Sequence, residues 1–354
     1  MPDAFFFFPF HTPMRNHPAL QKATILLSVV ALTLTLTSCK GNHQPIRLEG
    51  KAQGSYYSIL YYDSQRRHLD QSIDSLLKAF DQEVSLWEEG SLLRRVNSNH
   101  DSVVTPLFAD ILQKSLDIQQ YTSGAFDCRI GRLVQAWGFS FSQQESLNDT
   151  LIGHLLAAAR QPVTRTTRAD GQVCIRKAAE TEIDFNAIAQ GYASDLIAAY
   201  LLQHGITDFL VDVGGEVVAH GCKKDGSDWC VGIERPAANR YDTPEVALAI
   251  GLRNRSVVTS GSYRKYYERD GVRYSHTIDP ATGRPVTHSL LSVSVVDSNA
   301  WRADALATAF MVMGVDSAWH FIERNEPLLP VLFIYDSAGE QHSKATPAFE
   351  AMIQ

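Results

Sequence analysis

Residues 258–286 read VTSGSYRKYYERDGVRYSHTIDPATGRPV, and this stretch organises the middle of the chain. Asp270-Gly271 stands between two strand-like runs and predicts a tight hairpin, because a two-residue turn needs positive φ angles that these residues tolerate. Residues 259–261 predict a turn before the hairpin, and residues 279–283 predict another after His276. The stretch therefore predicts rigid turns that hold polar groups at the rim of a site, although two ordinary surface hairpins explain the same pattern.

The composition is that of a globular protein with a sizeable core. The chain has 354 residues, of which 45% are hydrophobic, and a formal net charge of −7. Because the net charge is negative and no basic cluster stands out, we do not expect a nucleic-acid partner. The sequence shows no repeat, low-complexity block or internal linker, so one domain over residues 47–354 is the simplest interpretation.

The first 38 residues are predicted to be a targeting segment rather than part of the fold. Basic residues precede an apolar run at 25–36, which is too short to span a bilayer comfortably and is typical of a signal peptide. Small residues then lead to Cys39, as in a bacterial lipobox. We therefore expect Cys39 to be lipidated, residues 39–46 to form a tether and translation to start at Met14. A plain signal peptide or an uncleaved anchor with a chance cysteine is the alternative.

Four further cysteines follow in the mature chain, at Cys128, Cys174, Cys222 and Cys230. An exported protein can form disulfides, and four cysteines allow three pairings. Cys222 and Cys230 are near enough in sequence to bridge adjacent strands, whereas free buried thiols are an equally good interpretation. The spacing of these cysteines does not suggest a zinc site.

Apolar periodicity divides the rest of the chain into helices and strands. The predicted helices cover residues 70–87, 105–120, 151–160, 186–202, 300–313 and 318–325. The predicted strands cover residues 47–52, 56–62, 173–176, 182–185, 209–213, 216–219, 230–233, 246–252, 292–296 and 331–335. This mixture predicts an α+β domain with mixed or antiparallel sheets and packed helices.

The predicted helix at 300–313 carries two polar side chains on an otherwise apolar, alanine-rich surface. Asp304 and Thr308 are four residues apart and therefore lie on one face. A carboxylate and a hydroxyl are hard oxygen ligands of the kind that Mg²⁺ accepts, with water and substrate phosphate supplying the remaining ligands. An Asp near a helix N-terminus and a Thr bonded to its own i−4 carbonyl explain the pair without a metal, and spacing alone favours that simpler explanation.

A second candidate site lies where a predicted strand turns into a helix, at residues 184–191, which read DFNAIAQG. The free N–H groups of such a helix start can bind a phosphate. The segment is neither a Walker loop nor a GxGxxG turn, so a P-loop or Rossmann site is not supported. A capped strand-to-helix junction is the alternative. Farther along, Gly214 and Gly215 mark a bulge, a turn or a close approach of the backbone to another group.

Five segments, taken together, resemble the ApbE family, the FAD:protein FMN transferases. They are GAFDCRIGRLVQAWGF (124–139), IDFNAIAQGYASDLI (183–197), FLVDVGGEVVAHG (209–221), the stretch at 258–286 and ADALATAFMVMG (303–314). One such segment would be weak evidence, whereas five in the family's order are specific. The resemblance implies a single T-fold-like domain and a Mg²⁺-dependent transfer of FMN from FAD to a threonine hydroxyl of a target protein, with release of AMP.

The resemblance also implies roles for individual residues. Asp304 and Thr308 would bind Mg²⁺ together with the backbone carbonyl of Ala187, and Asp304 would act in catalysis through that metal. His276 would help to deprotonate the attacking hydroxyl, which suits an imidazole because that group titrates near neutrality. An orienting or structural His is the alternative. The residues implied in binding FAD are Gln53, Leu86, Trp87, Gly124, Ala125, Phe126, Asp184, Gln190, Arg264 and Ile278.

The implied acceptors are flavin-carrying subunits of Rnf or sodium-translocating quinone reductase complexes. With a lipid at Cys39, the protein would be held at a bacterial membrane and would face the periplasm. Two other activities fit the same segments. One is an FAD pyrophosphatase that forms FMN and AMP without an acceptor, and the other is a flavin-binding lipoprotein that retains FAD and releases no AMP.

Overall fold

The structure is a computed structural model that describes residues 44–139, 147–237, 242–243, 245–262, 266–269 and 272–354. The predicted signal peptide, Cys39, Arg264 and the Asp270-Gly271 pair lie outside these residues. The described helices are α1 Asp70–Val84, α2 Leu92–Asn97, α3 Pro106–Tyr121, α4 Gly131–Ala136, α5 Asp149–Ala159, α6 Ala189–Gln203, α7 Ala300–Asn325 and α8 Pro347–Glu350. The described strands are β1 Ile46–Ala52, β2 Ser55–Tyr61, β3 Val103–Val104, β4 Thr164–Thr167, β5 Val173–Arg176, β6 Phe209–Val213, β7 Glu216–His220, β8 Trp229–Arg235, β9 Glu245–Leu252, β10 Arg255–Gly261, β11 Tyr266–Arg269, β12 Val272–Ser275, β13 Ile278–Asp279, β14 Arg284–Pro285, β15 Leu290–Asp297, β16 Val331–Ser337 and β17 Glu340–Ala345.

An antiparallel sheet of eight strands, in the order β1-β2-β6-β7-β10-β15-β16-β17, organises the fold. Side chains alternate between its two faces, and in β2 the residues Tyr57, Ile59 and Tyr61 are buried on the same face. Helices α1, α3, α6 and α7 contribute to the main hydrophobic core on that face. The β8–β9 ribbon and α8 cover a smaller core that contains Trp229 and Ile250. The α+β fold predicted from sequence is confirmed.

The strand pairing of the predicted hairpin and the second predicted turn are both present. Strand β11 pairs with β12, with Arg269 opposite Val272. In the β13–β14 hairpin, the Asp279 carboxylate accepts hydrogen bonds from the Ala281 N–H at 2.8 Å and from the Thr282 hydroxyl at 2.9 Å. The indole of Trp137 donates to the Gly283 carbonyl at 2.8 Å and ties this turn to the end of α4. The second turn is therefore fixed by side chains as well as by its own backbone.

The predicted turn at residues 259–261 is wrong, because these residues continue strand β10. Gly261 pairs with Ser292 of β15, and the strand runs unbroken through Thr259 and Ser260. The β-branched residues before Gly261 favour an extended backbone. Pairing with β15 then keeps the glycine in the strand.

The predicted strand at residues 182–185 is also wrong, since only Glu182 forms a bridge there, with Ile130. The side chain of Asn97 takes the place of a neighbouring strand. Its Nδ2 donates to the Ile183 carbonyl and its Oδ1 accepts from the Ile183 N–H, both at 2.8 Å. The backbone groups of this apolar segment are thus satisfied without a sheet.

Helix α7 is broken at Gly314, where φ is 74° and ψ is 172°, so the predicted helix end at this glycine is confirmed. Among the described residues, α7 is long and apolar enough to cross a membrane by length and composition. Its apolar side chains pack inside the protein, however, and Leu306 and Phe310 are fully buried in the main core. The composition of α7 is that of a core helix.

The cysteines Cys128, Cys174, Cys222 and Cys230 are free thiols. Cys128 and Cys174 are buried, whereas Cys222 is half-buried and Cys230 is exposed. Burial raises the pKa of the Cys128 thiol far above its usual range, so this thiol stays protonated. Of the two interpretations from sequence, free thiols are confirmed. Two of the four thiols are buried, as that interpretation expected.

The loop after β2 is held by Asp63, which leads to a prediction of pH-dependent stability. Its carboxylate accepts hydrogen bonds from the Gln65 N–H at 3.1 Å and from the Arg67 Nε at 2.8 Å. The Arg67 side chain is the main cause that lowers the pKa of Asp63 to about 2. Since the folded pKa lies below the usual value, the stabilisation is present above about pH 4 and is lost as the pH falls through 2.

We expect Asp63→Asn to lower the melting temperature at pH 7 by about 2 °C, a modest shift because the Arg67 guanidinium is partly exposed and water screens the pair. Thermal unfolding of both proteins between pH 2 and pH 7 measures this difference. A gap that stays constant down to pH 2 would contradict the assignment of the effect to the carboxylate charge.

Candidate active site

Helices α6 and α7 make backbone contact at Gly191. The Gly191 N–H donates a hydrogen bond of 3.0 Å to Oδ2 of Asp304. A Cβ atom at this glycine would lie 2.4 Å from the Ala300 carbonyl oxygen and 2.9 Å from Cβ of Asp304. Only glycine therefore lets the two helices approach closely enough for the Asp304 carboxylate to bind the first turn of α6.

Asp304 is a buried carboxylate, with 5% of its surface exposed. Burial, together with the nearby charge of Asp195, raises its pKa to about 7, and the hydrogen bond from the Gly191 N–H opposes that rise. A desolvated carboxylate of this kind attracts a proton or a cation strongly, because either one removes the unfavourable buried charge. Asp304 is thus suited to hold a positive ion at the junction of the two helices.

Thr308, one turn after Asp304, faces the end of strand β10. Its Oγ1 lies 3.4 Å from Oγ of Ser260, and the neighbouring Thr259 Oγ1 lies 2.7 Å from Oγ of Ser294 on β15. Ser294 is itself buried, with 1% of its surface exposed. The sheet therefore presents the Ser260 hydroxyl beside Thr308, whereas Thr259 and Ser294 face the other side of the sheet. Sequence reasoning missed Ser260 because it assigned residues 259–261 to a turn.

The segment before α6 forms a tight corner around Asp184. The Asn186 N–H donates to Oδ1 of Asp184 at 2.7 Å, and the Phe185 carbonyl accepts from the N–H groups of Ile188 and Ala189 at 3.0 and 2.8 Å. Burial raises the pKa of Asp184. The predicted strand-to-helix junction thus exists as a turn whose carboxylate is buried, with the first turn of α6 directly after it.

The two helices run in opposite directions. Asp195, farther along α6, contacts the start of α7 at Ala300, whereas Gly191 contacts Asp304. Following α6 backward past its first residue therefore leads toward Thr308, and Ala187 lies in that direction. This antiparallel order is what a site shared by Ala187, Asp304 and Thr308 would require.

The β6–β7 hairpin lies against the same start of α6. Both residues of its turn, Gly214 and Gly215, have positive φ, at 69° and 111°. A Cβ atom at Gly214 would lie 2.4 Å from Nε2 of Gln190, so glycine leaves the room that the Gln190 amide occupies. The turn and the close approach that the sequence suggested for these glycines are both present.

Gln53 lies in the neighbouring β1–β2 turn, with φ of 51°. Its side chain hydrogen-bonds Asp81 near the end of α1, and its Oε1 is buried without a hydrogen-bond partner. The adjacent β2 residue Tyr56 accepts a hydrogen bond from the Gly214 N–H at 2.9 Å, so the two hairpin turns are neighbours. A buried acceptor without a donor is costly, and a ligand N–H at this edge of the sheet would satisfy it.

Other residues predicted to bind FAD occupy different environments. The side chains of Leu86, Phe126 and Ile278 are buried in hydrophobic clusters, with 2%, 2% and 3% exposed. Trp87 is 61% exposed at the end of α1. Gly124 and Ala125 form the turn after α3, where the Gly124 N–H donates to the Gln119 carbonyl at 2.8 Å. Arg264 lies outside the described residues.

His276 lies between the two hairpins of the opening stretch and is half-buried. Its ring meets Phe139 edge-to-face, with centroids 6.4 Å apart. Phe139 packs against the small core that also contains Ile278. The ring is thus oriented by aromatic packing, while the remaining exposure leaves it accessible from solvent.

A cavity of about 380 Å³ opens at the start of α7 rather than beside Thr308. Its walls include Tyr192, Asp195 and Trp301. Burial raises the pKa of Asp195 to about 6, while the N–H groups of Trp301 and Ala300 oppose that shift. Asp304 and Thr308, the predicted metal ligands, do not line this cavity.

Comparison with known proteins identifies the family. The ApbE family model matches residues 53–333. The FAD:protein FMN transferase of Vibrio cholerae is 31% identical over 92% of this chain and 98% of its own length, and that of Escherichia coli (strain K12) is 32% identical over 92% and 97%.

Solved structures agree with the sequence relatives. The flavin transferase ApbE from Vibrio cholerae superposes with a TM-score of 0.74 at 29% identity, covering 87% of this chain and 99% of that chain. The ApbE protein from Thermotoga maritima gives a TM-score of 0.75 at 25% identity, covering 88% and 100%. Since the family model, the sequence relatives and the solved structures agree, this chain belongs to the ApbE family.

Proposed function

We propose that this protein is a Mg²⁺-dependent FAD:protein FMN transferase, which moves FMN from FAD to a threonine hydroxyl of a target protein and releases AMP. The observation that carries the proposal is the buried Asp304 carboxylate, which is bound to Gly191 and stands one turn before Thr308. The names of the curated relatives support the flavin-transfer activity.

The donors of this region fit Mg²⁺. Asp304 offers a carboxylate, Thr308 a hydroxyl and Ala187 a backbone carbonyl, and Mg²⁺ commonly takes few protein ligands of this hard type. The described residues contain no group of three or more His, Cys, Asp and Glu that could hold a metal, which argues against a zinc-like centre among them. When bound, Mg²⁺ would neutralise charge on the pyrophosphate of FAD and act as a Lewis acid.

The surrounding residues fit a dinucleotide. The buried Oε1 of Gln53 would accept a hydrogen bond from an N–H of the flavin or the adenine. The first turn of α6, which follows Asp184, would place the Gln190 amide near the phosphates, because the N–H groups of Ile188, Ala189 and Gly191 already donate to Phe185 and Asp304. The exposed indole of Trp87 offers an aromatic face on which a flat ring can stack. Gly124 and Ala125 would line the same pocket, while the buried Leu86, Phe126 and Ile278 would support it from the hydrophobic clusters.

The transfer exchanges one phosphorus–oxygen bond for another. The threonine Oγ of the target attacks the phosphorus on the FMN side of the pyrophosphate, and the bond from that phosphorus to the bridging oxygen breaks. AMP leaves with the bridging oxygen, and the hydroxyl proton passes to a base. We assign the base to His276, whose ring is half-buried and oriented by Phe139. Positioning and charge neutralisation supply most of the catalysis in phosphoryl transfer.

We expect His276→Asn to lower kcat for transfer by about a hundredfold, because general base catalysis contributes at least that factor. The KM for FAD should not change, since the proposed role begins only when the target hydroxyl is bound. Steady-state kinetics with a flavin-acceptor protein measure both constants. An unchanged kcat with a raised KM would instead make His276 a substrate-binding residue.

The setting belongs to the same proposal. A lipid on Cys39 would hold the catalytic domain at a bacterial membrane on the periplasmic side, where acceptor subunits of Rnf or sodium-translocating quinone reductase complexes would be its partners. Cys39 lies outside the described residues. Labelling with a fatty acid analogue, followed by Cys39→Ser as the control, tests the anchor independently of catalysis.

Mass spectrometry of a candidate acceptor tests the activity itself. After incubation with FAD, Mg²⁺ and this protein, the acceptor should gain the mass of FMN less one water, and one AMP should form for each modified chain. AMP formed without modification of any acceptor would favour the pyrophosphatase. Retained FAD without AMP would favour a flavin-binding lipoprotein.

A further inference from the structure

The start of α7 has no cap of its own. Asn299 occupies the N-cap position, and its side chain makes no capping hydrogen bond. The first N–H groups of a helix lack partners within the helix, so another group must satisfy them when they are shielded from water. Asp195 on α6 does so, since its Oδ1 accepts from the Ala300 N–H at 3.0 Å and its Oδ2 accepts from the Trp301 N–H at 2.9 Å.

This contact is the counterpart of the one between Asp304 and Gly191. Each helix supplies a carboxylate to backbone N–H groups in the first turns of the other, and the two contacts are separated by one helical turn on both helices. The apolar side chains of α7 already hold it in the main core, and these two polar contacts add two fixed points on one side of α6. We call this pair of contacts the double carboxylate clasp.

The clasp bears directly on Asp304. One carboxylate oxygen of Asp304 is used by Gly191, which leaves the other oxygen for a further partner. The direction of that second oxygen depends on how α7 is placed against α6. Asp195 binds the first turn of α7, three to four residues before Asp304 and without a hydrogen bond to it.

We propose that Asp195 is a positioning residue for the metal site, which it aligns by capping α7 from the neighbouring helix. The inference rests on the proposed function, because it concerns the Mg²⁺ that Asp304 and Thr308 would bind. A metal ion with near-octahedral demands tolerates little displacement of its ligands. Groups that orient ligands without touching the metal commonly change metal affinity by about 10–100-fold when they are removed.

Other charges near Asp195 do not replace these N–H groups. The charge of Lys114 acts on its carboxylate, but Lys114 is itself bound to Asp110 by two contacts of 2.7 Å. Asp297 and Asp304 are like charges that repel it. The favourable partner of Asp195 is therefore the positive end of α7, as expected for a carboxylate at a helix N-terminus.

The test compares Asp195→Ala with Asp195→Asn. Alanine removes both acceptors, whereas the asparagine amide keeps one oxygen acceptor of the two and so retains part of the cap. Mn²⁺ is titrated into the FAD-loaded protein without acceptor, and free Mn²⁺ is followed by electron paramagnetic resonance. We expect Asp195→Ala to weaken Mn²⁺ binding by about tenfold or more and Asp195→Asn to weaken it less. FAD binding without metal should be unchanged in both.

Transfer kinetics provide a second measurement. The Mg²⁺ concentration for half-maximal rate should rise in the same order, while kcat at saturating Mg²⁺ recovers in Asp195→Asn. Measuring both quantities distinguishes a displaced metal site from a damaged active site, because a general loss of structure would lower kcat at every Mg²⁺ concentration. If Asp195→Ala does not fold, the graded effect of Asp195→Asn still decides the question.

Asn148→Ala is the matched control, because Asn148 caps α5 by accepting from the Leu151 N–H at 2.9 Å, away from the α6–α7 contact. It should lose stability without a change in Mn²⁺ affinity. The inference would be overturned if wild type and Asp195→Ala bound Mn²⁺ equally well. It would also be overturned if Asp195→Ala and Asn148→Ala lost the same amount of Mn²⁺ affinity. If the wild-type protein bound no Mn²⁺ at all, the proposed function itself would fail, and the two failures are thus distinguishable.

Discussion

Replacing Asp304 with alanine is expected to reduce FMN transfer by at least about a hundredfold while the protein remains folded. The substitution removes the carboxylate proposed to bind Mg²⁺ and the acceptor of the Gly191 N–H, but α7 keeps its buried Leu306 and Phe310 in the main core. Mass spectrometry of a flavin acceptor measures the transfer, and circular dichroism measures the fold. Full activity of Asp304→Ala in the presence of Mg²⁺ would reject the metal assignment.

Asp304→Asn is the informative companion, because it keeps the shape and one acceptor but removes the charge. Burial raises the pKa of Asp304 to about 7, so the charged form is unfavourable in the folded state without metal. The wild-type protein therefore loses stability as the pH rises from about 4 through 7, and the asparagine variant does not.

Without metal at pH 8, Asp304→Asn should melt at a higher temperature than wild type, and the difference should disappear near pH 4. Mg²⁺ with FAD should stabilise wild type more than the variant, because a ligand stabilises only the protein that binds it. Thermal melts with and without Mg²⁺ at both pH values test this. Equal stabilisation of both proteins by Mg²⁺ would contradict a metal held by this carboxylate.

Gly191→Ala is expected to have the second large effect, on stability and on activity together. Its Cβ atom would lie 2.4 Å from the Ala300 carbonyl oxygen, a backbone atom that cannot turn aside like a flexible side chain. The helices must separate, which costs about 3 kcal/mol of unfolding free energy by overpacking. The separation also breaks the hydrogen bond to Asp304, so transfer should fall along with stability.

Gly153→Ala is the matched control for this substitution. Gly153 lies inside α5, and a Cβ atom there would have nothing within 4 Å. Alanine is the better helix former, so this variant should gain about 0.5–1 kcal/mol of stability and keep full transfer activity. Denaturant unfolding and acceptor labelling of the two variants give the comparison. A stable and active Gly191→Ala protein would show that the close contact of the helices is not needed.

Local patterns predicted much of the fold. Helical periodicity predicted the helix that carries Asp304 and Thr308 on one face, and Gly314 predicted where the first part of that helix ends. The Asp-Gly dipeptide predicted the β11–β12 pairing, and the paired glycines predicted the turn between β6 and β7. These features depend on residues close together in the chain, where backbone preferences act directly.

The features that sequence reasoning missed depend on distant partners. Ser260 was assigned to a turn, but pairing of β10 with β15 keeps it in a strand beside Thr308. Residues 182–185 do not form the predicted strand, because their backbone pairs with the side chain of Asn97, which is 86 residues away from Ile183. Asp195 has no local signal of its role, because the helix that it caps begins 105 residues later. Each case is decided by tertiary contact rather than by propensity.

The most direct test of the proposed active site is to locate the metal. Crystals grown with FAD and Mn²⁺ should show an anomalous diffraction peak about 2.1 Å from the Asp304 carboxylate and the Thr308 hydroxyl, with the Ala187 carbonyl as a further ligand and the pyrophosphate of FAD on the open side. A peak elsewhere in the protein, with Asp304 and Thr308 bound to no ion while the crystallised protein transfers FMN, would contradict the account.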